Sequence, residues 1–186
     1  LLNKADDILI GGAMAYTFFK AQGFDVGRSL VEEDKKDLAL MLLDKAKEKK
    51  VNFVLPQDHI LASALEPGAK TMIADSFPFP QELIAVDIGP KTVGKYSKII
   101  ARAKTIVWNG PLGVFEVDPF SEGTKKIAQA VANSKAISIV GGGDSVAAVY
   151  KAGISEKITH ISTGGGATLE FLANESLPGL EALEGK

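Results

Sequence analysis

Short runs of β-branched and apolar residues, each stopped by glycine or proline, alternate along the chain with longer stretches whose apolar positions recur every three or four residues. The short runs predict strands at 7–10 (DILI), 52–55 (NFVL), 105–108 (TIVW), 136–140 (AISIV) and 159–162 (THIS), with a weaker one at 71–74. Most are apolar almost throughout, the pattern of strands covered on both faces. The longer stretches predict helices over 14–21, 34–49, 92–103, 119–132, 145–152 and 167–174. The 34–49 segment has the clearest stripe, Leu38, Leu42, Leu43 and Ala46. Glu32, Glu33 and Asp34 stand at the positive end of its dipole, and Lys45, Lys47, Lys49 and Lys50 at the negative end. Asp118 followed by Pro119 reads as an N-cap and a first-turn proline. Strands alternating with helices predict an α/β chain with a doubly wound, mostly parallel sheet and helices on both faces, a three-layer, Rossmann-like arrangement.

The punctuation says more than the elements. Four predicted strands run straight into glycine-bearing loops: ILI into Gly11 and Gly12, IVW into the loop from Asn109 through Gly110, Pro111 and Leu112 to Gly113, SIV into Gly141, Gly142, Gly143, Asp144 and Ser145, and HIS into Thr163, Gly164, Gly165 and Gly166. Right-handed crossovers put all four loops on one edge of a parallel sheet, where ligands bind. Glycine lets backbone N–H groups approach a ligand, and each following helix N-terminus carries about half a positive charge. One such turn is commonly only a tight turn, but four on one edge predict a phosphate or nucleotide site. Two common signatures fail. Gly89, Pro90, Lys91 and Thr92 have only the tail of a P-loop, with Ile84 where its leading glycine belongs, and no G-x-G-x-x-G follows the first strand.

In GGGDS, Gly141 to Gly143 offer backbone donors, and Asp144 either caps its helix or turns outward to hold a divalent cation against phosphate oxygens. Spacing favours Ser145 bonding its own helix turn. In WNGPLGVFE, a loop stripped of side chains presents Val114 and Phe115 to a flat aromatic ring, and Glu116 is an acceptor for ribose hydroxyls unless it is merely solvated. Trp108 reads as core. His59 and His160 have neither metal spacing nor a nucleophile partner and read as packed or surface side chains.

Composition narrows the class. The chain of 186 residues is 46% hydrophobic, which argues against disorder, and 21 Lys and Arg against 23 Asp and Glu leave a net charge of −2. That balance gives no electrostatic footprint for nucleic acid, and KAKEKK is a solvated helix end. With no cysteine, thiolate metal sites and thiol nucleophiles are excluded, and a reducing compartment fits. No apolar run approaches the ~20 residues of a membrane span. A single soluble, cytoplasmic domain is expected, and the 19 glycines are concentrated in its loops.

The runs ILIGGAMAYTF (8–18), VGRSLVEED (26–34), DIGPKT (87–92), TIVWNGPLGVFE (105–116), SIVGGGDSVAAV (138–149) and HISTGGGATLEFL (160–172) occur in that order. Together they resemble the C-terminal nucleotide-binding domain of the phosphoglycerate kinase family over nearly the whole chain. The resemblance implies reversible phosphoryl transfer between 1,3-bisphosphoglycerate and ADP, giving 3-phosphoglycerate and ATP with Mg²⁺. It implies an adenine slot from Gly11, Gly12, Leu30, Val86, Pro111, Gly113 and Val114, with Glu116 on the ribose and Asn109 near the phosphates. Asp144 matches the family's Mg-nucleotide carboxylate, while Gly142, Gly143, Ser145, Gly165 and Gly166 match donors around the moving phosphoryl group.

Departures from the family pattern carry expectations of their own. The family's N-terminal domain, with the arginine and basic patch that bind phosphoglycerate, has no match here. Nor have the glycine-rich turn bearing a phosphate-contacting lysine and the first strand of the C-terminal domain. Residues 1–186 are therefore expected to be an N-terminally truncated nucleotide-binding domain, inactive alone and inclined to self-association through its incomplete sheet. Ala13 and Gln57 replace a common Gly and Val, and nothing is assigned to 66–82. LPGLEAL (177–183) resembles the tail that packs toward the family's other domain and is expected to be loosely held here. Two rival readings are a non-catalytic ADP/ATP-binding module or inactive fragment, and a doubly wound domain for another phosphorylated ligand.

Overall fold

The structure, a computed structural model, describes residues 1–162 and 164–173. Thr163, the end of the last predicted helix at Asn174 and the LPGLEAL segment lie outside the described residues. The strands are β1 (Asp7–Leu9), β2 (Asn52–Val54), β3 (His59–Ala62), β4 (Thr71–Ala74), β5 (Ile84–Ile88), β6 (Thr105–Asn109), β7 (Ile137–Gly141) and β8 (His160–Ser162). The α-helices are α1 (Ala13–Ala21), α2 (Lys36–Glu48), α3 (Pro90–Arg102), α4 (Glu122–Asn133), α5 (Gly143–Lys151) and α6 (Gly165–Ala173). Each predicted strand and helix is present, and the architecture is α/β with a Rossmann-like, mostly parallel arrangement.

The parallel strands form two sheets. β1 pairs with β2, with Ile8 opposite Phe53. β6, β7 and β8 form the other, with Val107 opposite Ile139 and Val140 opposite Ile161. Both run the same way. At their beginnings, Arg102, just before β6, pairs with Asp7 of β1 at 2.9 Å. Beyond their ends, Gly12 N–H donates to the Leu112 carbonyl at 3.2 Å. β1 and β6 thus face each other without pairing among the described residues.

Three strands lie outside this pattern. β4 and β5 flank β3 in an antiparallel sheet, so the predicted 71–74 strand is antiparallel, and β3 and β5 were not anticipated. β3 was obscured by the polar pair Asp58 and His59, which the fold buries completely. The Asp58 carboxylate accepts the N–H groups of Lys91 (2.8 Å) and Thr92 (2.7 Å) and the Thr92 hydroxyl (2.7 Å). It satisfies the orphan donors of α3 from a distant strand, where no residue beside the helix caps it. The GPKT sequence is therefore a capped helix start. Asp118 is a second correction. It sits inside a 3₁₀ turn, Asp118–Phe120, and its carboxylate pairs with Lys125 and Lys151 instead of capping α4.

The main core lies where α3 and α4 cover one face of the parallel strands. There Tyr96, Ile100, Ile127 and Val131 meet Trp108 and Val140. The Tyr96 hydroxyl, buried with its ring, donates to the carbonyls of Ile10 (2.6 Å) and Val54 (3.0 Å) and ties α3 to the ends of β1 and β2. A second core packs Tyr16, Phe19 and Phe79 around β3. His59 is enclosed there, with Tyr16 Oη 3.2 Å from its Nδ1, and burial pushes its pKa down to about 4. His160 is exposed, so both histidines are structural or superficial as expected.

Candidate functional site

The ends of β1, β6, β7 and β8 bring the four glycine loops together. Beyond the Gly12 bond to Leu112, Asn109 Nδ2 donates to the Gly165 carbonyl at 3.3 Å. A methyl group on Gly165 would lie 2.5 Å from the α-carbon of Gly142, itself in the left-handed region at φ 95°. The third and fourth loops therefore touch backbone to backbone, which only residues without side chains permit.

The 109–116 loop is fastened along its length. Gly110 N–H donates to Ser145 Oγ (2.5 Å), Trp108 Nε1–H to the Gly110 carbonyl (2.7 Å), and Leu112 N–H to Thr124 Oγ1 (3.1 Å). From α5, Lys151 Nζ donates to the Phe115 carbonyl at 2.9 Å. A loop held by so many partners presents its remaining groups in a fixed arrangement.

These loops border a cavity of about 750 Å³, within the usual range for small-molecule sites. Among the residues expected at the site, Gly11, Gly12, Leu30, Val86, Asn109, Pro111, Gly113, Val114, Glu116 and Asp144 all line it. Leu30 reaches it while 67% exposed, an apolar side chain at the mouth. Gly142 and Gly143 open α5, and Gly165 and Gly166 open α6, so two helix N-termini stand beside the Asp144 end of the cavity.

Three details differ from the sequence reading. Phe115 is buried behind the loop, and Val114 alone of the pair faces the cavity. Ser145 bonds the neighbouring loop at Gly110 rather than its own helix turn. The α5 N-cap is Gly142, with Asp144 in the first turn making no capping bond, so its exposed carboxylate is left for another partner. Among the described residues no three His, Cys, Asp or Glu side chains converge on a metal position. A cation at Asp144 would need oxygens from a ligand or water, as Mg²⁺ commonly takes when it binds with phosphates.

Sequence reasoning missed the wall contributed by the antiparallel sheet and its loops, including Leu65, Ile84, Ala85 and Asp87. Asp87 is 2% exposed and accepts the N–H groups of Gly123 (2.6 Å) and Ile88 (2.8 Å). Its carboxylate lies directly against Gly113, with no room for a β-carbon between them. Burial pushes its pKa up to about 7, against the pull of the two backbone donors.

The phosphoglycerate kinase family profile matches residues 1–175. This chain belongs to the phosphoglycerate kinase family. It is 61% identical over its full length to the phosphoglycerate kinase of Acidobacterium capsulatum and 58% identical over 98% of its length to that of Chlorobium phaeobacteroides. It spans under half of those relatives, 46% and 47% of their lengths. Among solved structures, phosphoglycerate kinase from Coxiella burnetii superposes with a TM-score of 0.91 at 46% identity, covering 94% of this chain and 46% of that one. The enzyme from Pyrococcus horikoshii gives 0.76 at 38% identity, covering 98% of this chain and 46% of that one.

Proposed function

We propose that these residues are the ADP/ATP half of a phosphoglycerate kinase centre, acting in the cytoplasm and completed by the phosphoglycerate-binding domain of the same family. The reaction is transfer of the acyl phosphate of 1,3-bisphosphoglycerate to ADP, giving 3-phosphoglycerate and ATP. One observation carries the reading: the residues expected at adenine and ribose, with Asn109 and Asp144 of those expected at the phosphates, line a single cavity, and Asp144 stands in the first turn of α5.

Val86, Pro111, Gly113, Val114 and Leu30 provide an apolar slot for the base, with Gly11 and Gly12 as its backbone wall. Glu116, exposed at the rim, accepts from the ribose hydroxyls, and Asn109 reaches the phosphates. The carboxylate of Asp144 fits the Mg²⁺ of an Mg-nucleotide, whose role when bound is to neutralise phosphate charge. Backbone N–H groups at Gly142, Gly143, Gly165 and Gly166 stabilise the charge of the moving phosphoryl group, and Ser145 fixes the loop they work beside. Phosphoryl transfer depends on positioning and charge stabilisation more than covalent chemistry, which matches a site built from backbone donors.

Isothermal calorimetry tests the assignment. MgADP should bind, Asp144→Asn should abolish the dependence on Mg²⁺, and Glu116→Ala should weaken nucleoside affinity by about tenfold or more, the cost of one or two hydrogen bonds. Absence of MgADP binding, or equal affinity for a sugar phosphate, would refute it. Because the chain spans under half its relatives' length, a non-catalytic nucleotide-binding role for the isolated chain is the second reading. Turnover in a coupled assay comparable to that of a full-length relative would exclude it.

A further inference from the structure

Helix α5 holds the 109–116 loop at both ends. Near its start, Ser145 Oγ accepts the Gly110 N–H at 2.5 Å; from its last residue, Lys151 Nζ donates to the carbonyls of Phe115 at 2.9 Å and Glu116 at 3.5 Å. Between these ties lie Pro111, Gly113 and Val114, which line the cavity. Val117 N–H closes a turn on the Val114 carbonyl at 3.1 Å, with Phe115 and Glu116 at its central positions. The turn's own bond uses neither of their carbonyls, and the Lys151 ammonium supplies a donor to each. The buried Phe115 side chain anchors the turn from within. The exposed side chain of Glu116 therefore leaves a backbone that is held on both sides. Asp144 stands in the first turn of the same helix. Seven residues at ~1.5 Å of rise separate it from Lys151, so the two ends of α5 are kept about 10 Å apart along one rigid axis.

We propose that Lys151 is a positioning residue for the ribose: it fixes the turn that aims Glu116 at the ribose hydroxyls and, through α5, sets the place of that turn relative to Asp144. The inference deepens the ADP/ATP reading of this cavity and rests on it. A glutamate at a solvated rim gains little from a hydrogen bond unless its backbone is already ordered, because ordering it costs part of the bond. An ammonium on two carbonyls is a charge-assisted tie, stronger than a neutral one, and provides that order before the ligand arrives. Two simpler roles for Lys151 account for less. A cation in the last turn suits the negative end of the α5 dipole, but that role requires no particular partner, whereas this side chain turns onto a loop 36 residues back in the sequence. Lys151 also pairs with Asp118 at 3.1 Å, yet that carboxylate is 75% exposed and shared with Lys125 at 3.4 Å, and such pairs are weak in water.

The readout is the ratio of affinities for MgADP and its 2′,3′-dideoxy analogue, measured by calorimetry on the whole chain, because this ratio isolates the ribose hydroxyls. In the wild-type chain a ratio of about tenfold or more is expected. Lys151→Met keeps the aliphatic stem and removes the donor, and should bring the ratio down to about threefold or less. Lys151→Arg, still a cationic donor, should restore most of it. Asp118→Ala removes the ion pair alone and should leave the ratio at its wild-type value. Any fraction of a variant that fails to fold lowers both affinities equally, so the ratio reports positioning and not stability. An unchanged ratio in Lys151→Met, a ratio in Lys151→Arg no better than in Lys151→Met, or an equal fall in Asp118→Ala would overturn the proposal while leaving the nucleotide site standing. Absence of MgADP binding by the wild-type chain, or equal wild-type affinity for the two nucleotides, would overturn the ribose assignment and the proposal together.

Discussion

Asp87→Asn separates two opposed pH dependences built into the cores. In the folded chain burial holds the Asp87 carboxyl protonated up to about pH 7, whereas in the unfolded chain it ionises near pH ~3.9. Between those values the folded state binds more protons, so stability is fully present below pH ~4 and is lost as pH rises toward 7. His59 works the other way. Its folded pKa is depressed to about 4 and its unfolded value is ~6.5, so its contribution is present above pH ~6.5 and is lost as pH falls toward 4. At about 1.4 kcal/mol per unit, each amounts to at most roughly 3–4 kcal/mol across its window. From pH ~4 to ~6.5 the two slopes offset, and the wild-type chain should show little change from this pair. Asparagine cannot ionise, so the variant should gain about 3 kcal/mol from pH 4 to 6.5 relative to wild type, the slope of His59 uncovered. Its absolute stability at pH 4 should fall by ~1–3 kcal/mol, because an amide offers one acceptor where the Gly123 and Ile88 N–H groups need two. Urea unfolding followed by the fluorescence of Trp108, the one tryptophan and a buried one, measures both. Exposed carboxylates contribute equally to both proteins and cancel in the difference. Parallel profiles for wild type and variant would refute the reasoning, since they would mean that Asp87 ionises in the fold as it does in water.

The glycine loops give a paired test of structure against ligand. Gly165→Ala must push its methyl into the backbone of Gly142, so thermal denaturation should show a loss of ~1–3 kcal/mol. Gly143→Ala meets nothing within 4 Å and lies in the first turn of α5, so stability should hold or rise by up to ~1 kcal/mol while MgADP affinity in calorimetry falls. Equal loss of stability in both would mean that the loops are glycine-rich for packing alone. Asp58→Ala should cost ~2–4 kcal/mol in urea unfolding by stranding three donors at the start of α3, and should leave MgADP affinity unchanged because Asp58 does not line the cavity.

The parallel strands were legible because their signals are local: an apolar run, a glycine stop and a helix follow one another within a dozen residues. Ile84 to Ile88 followed by Gly89 and Pro90 shows the same rhythm, and reading it consistently finds β5. β3 carries no such signal. His59 looks unsuited to a core until Tyr16, Phe19 and Phe79 arrive from elsewhere in the chain to enclose it, and Asp58 earns its burial only through the start of α3, over thirty residues on. In the site, the residue types were readable but their facing was not. Val114 and Phe115 are both apolar, and the turn at Gly113, forced against Asp87, decides which of them meets the cavity. Asp144 could have capped α5, and it is the backbone of Gly142 in the left-handed region that takes the capping position and leaves the carboxylate outward. The opening between β1 and β6 is of another kind. Two edges of the same direction line one cavity there without pairing among the described residues, a facing that no local run of the sequence records.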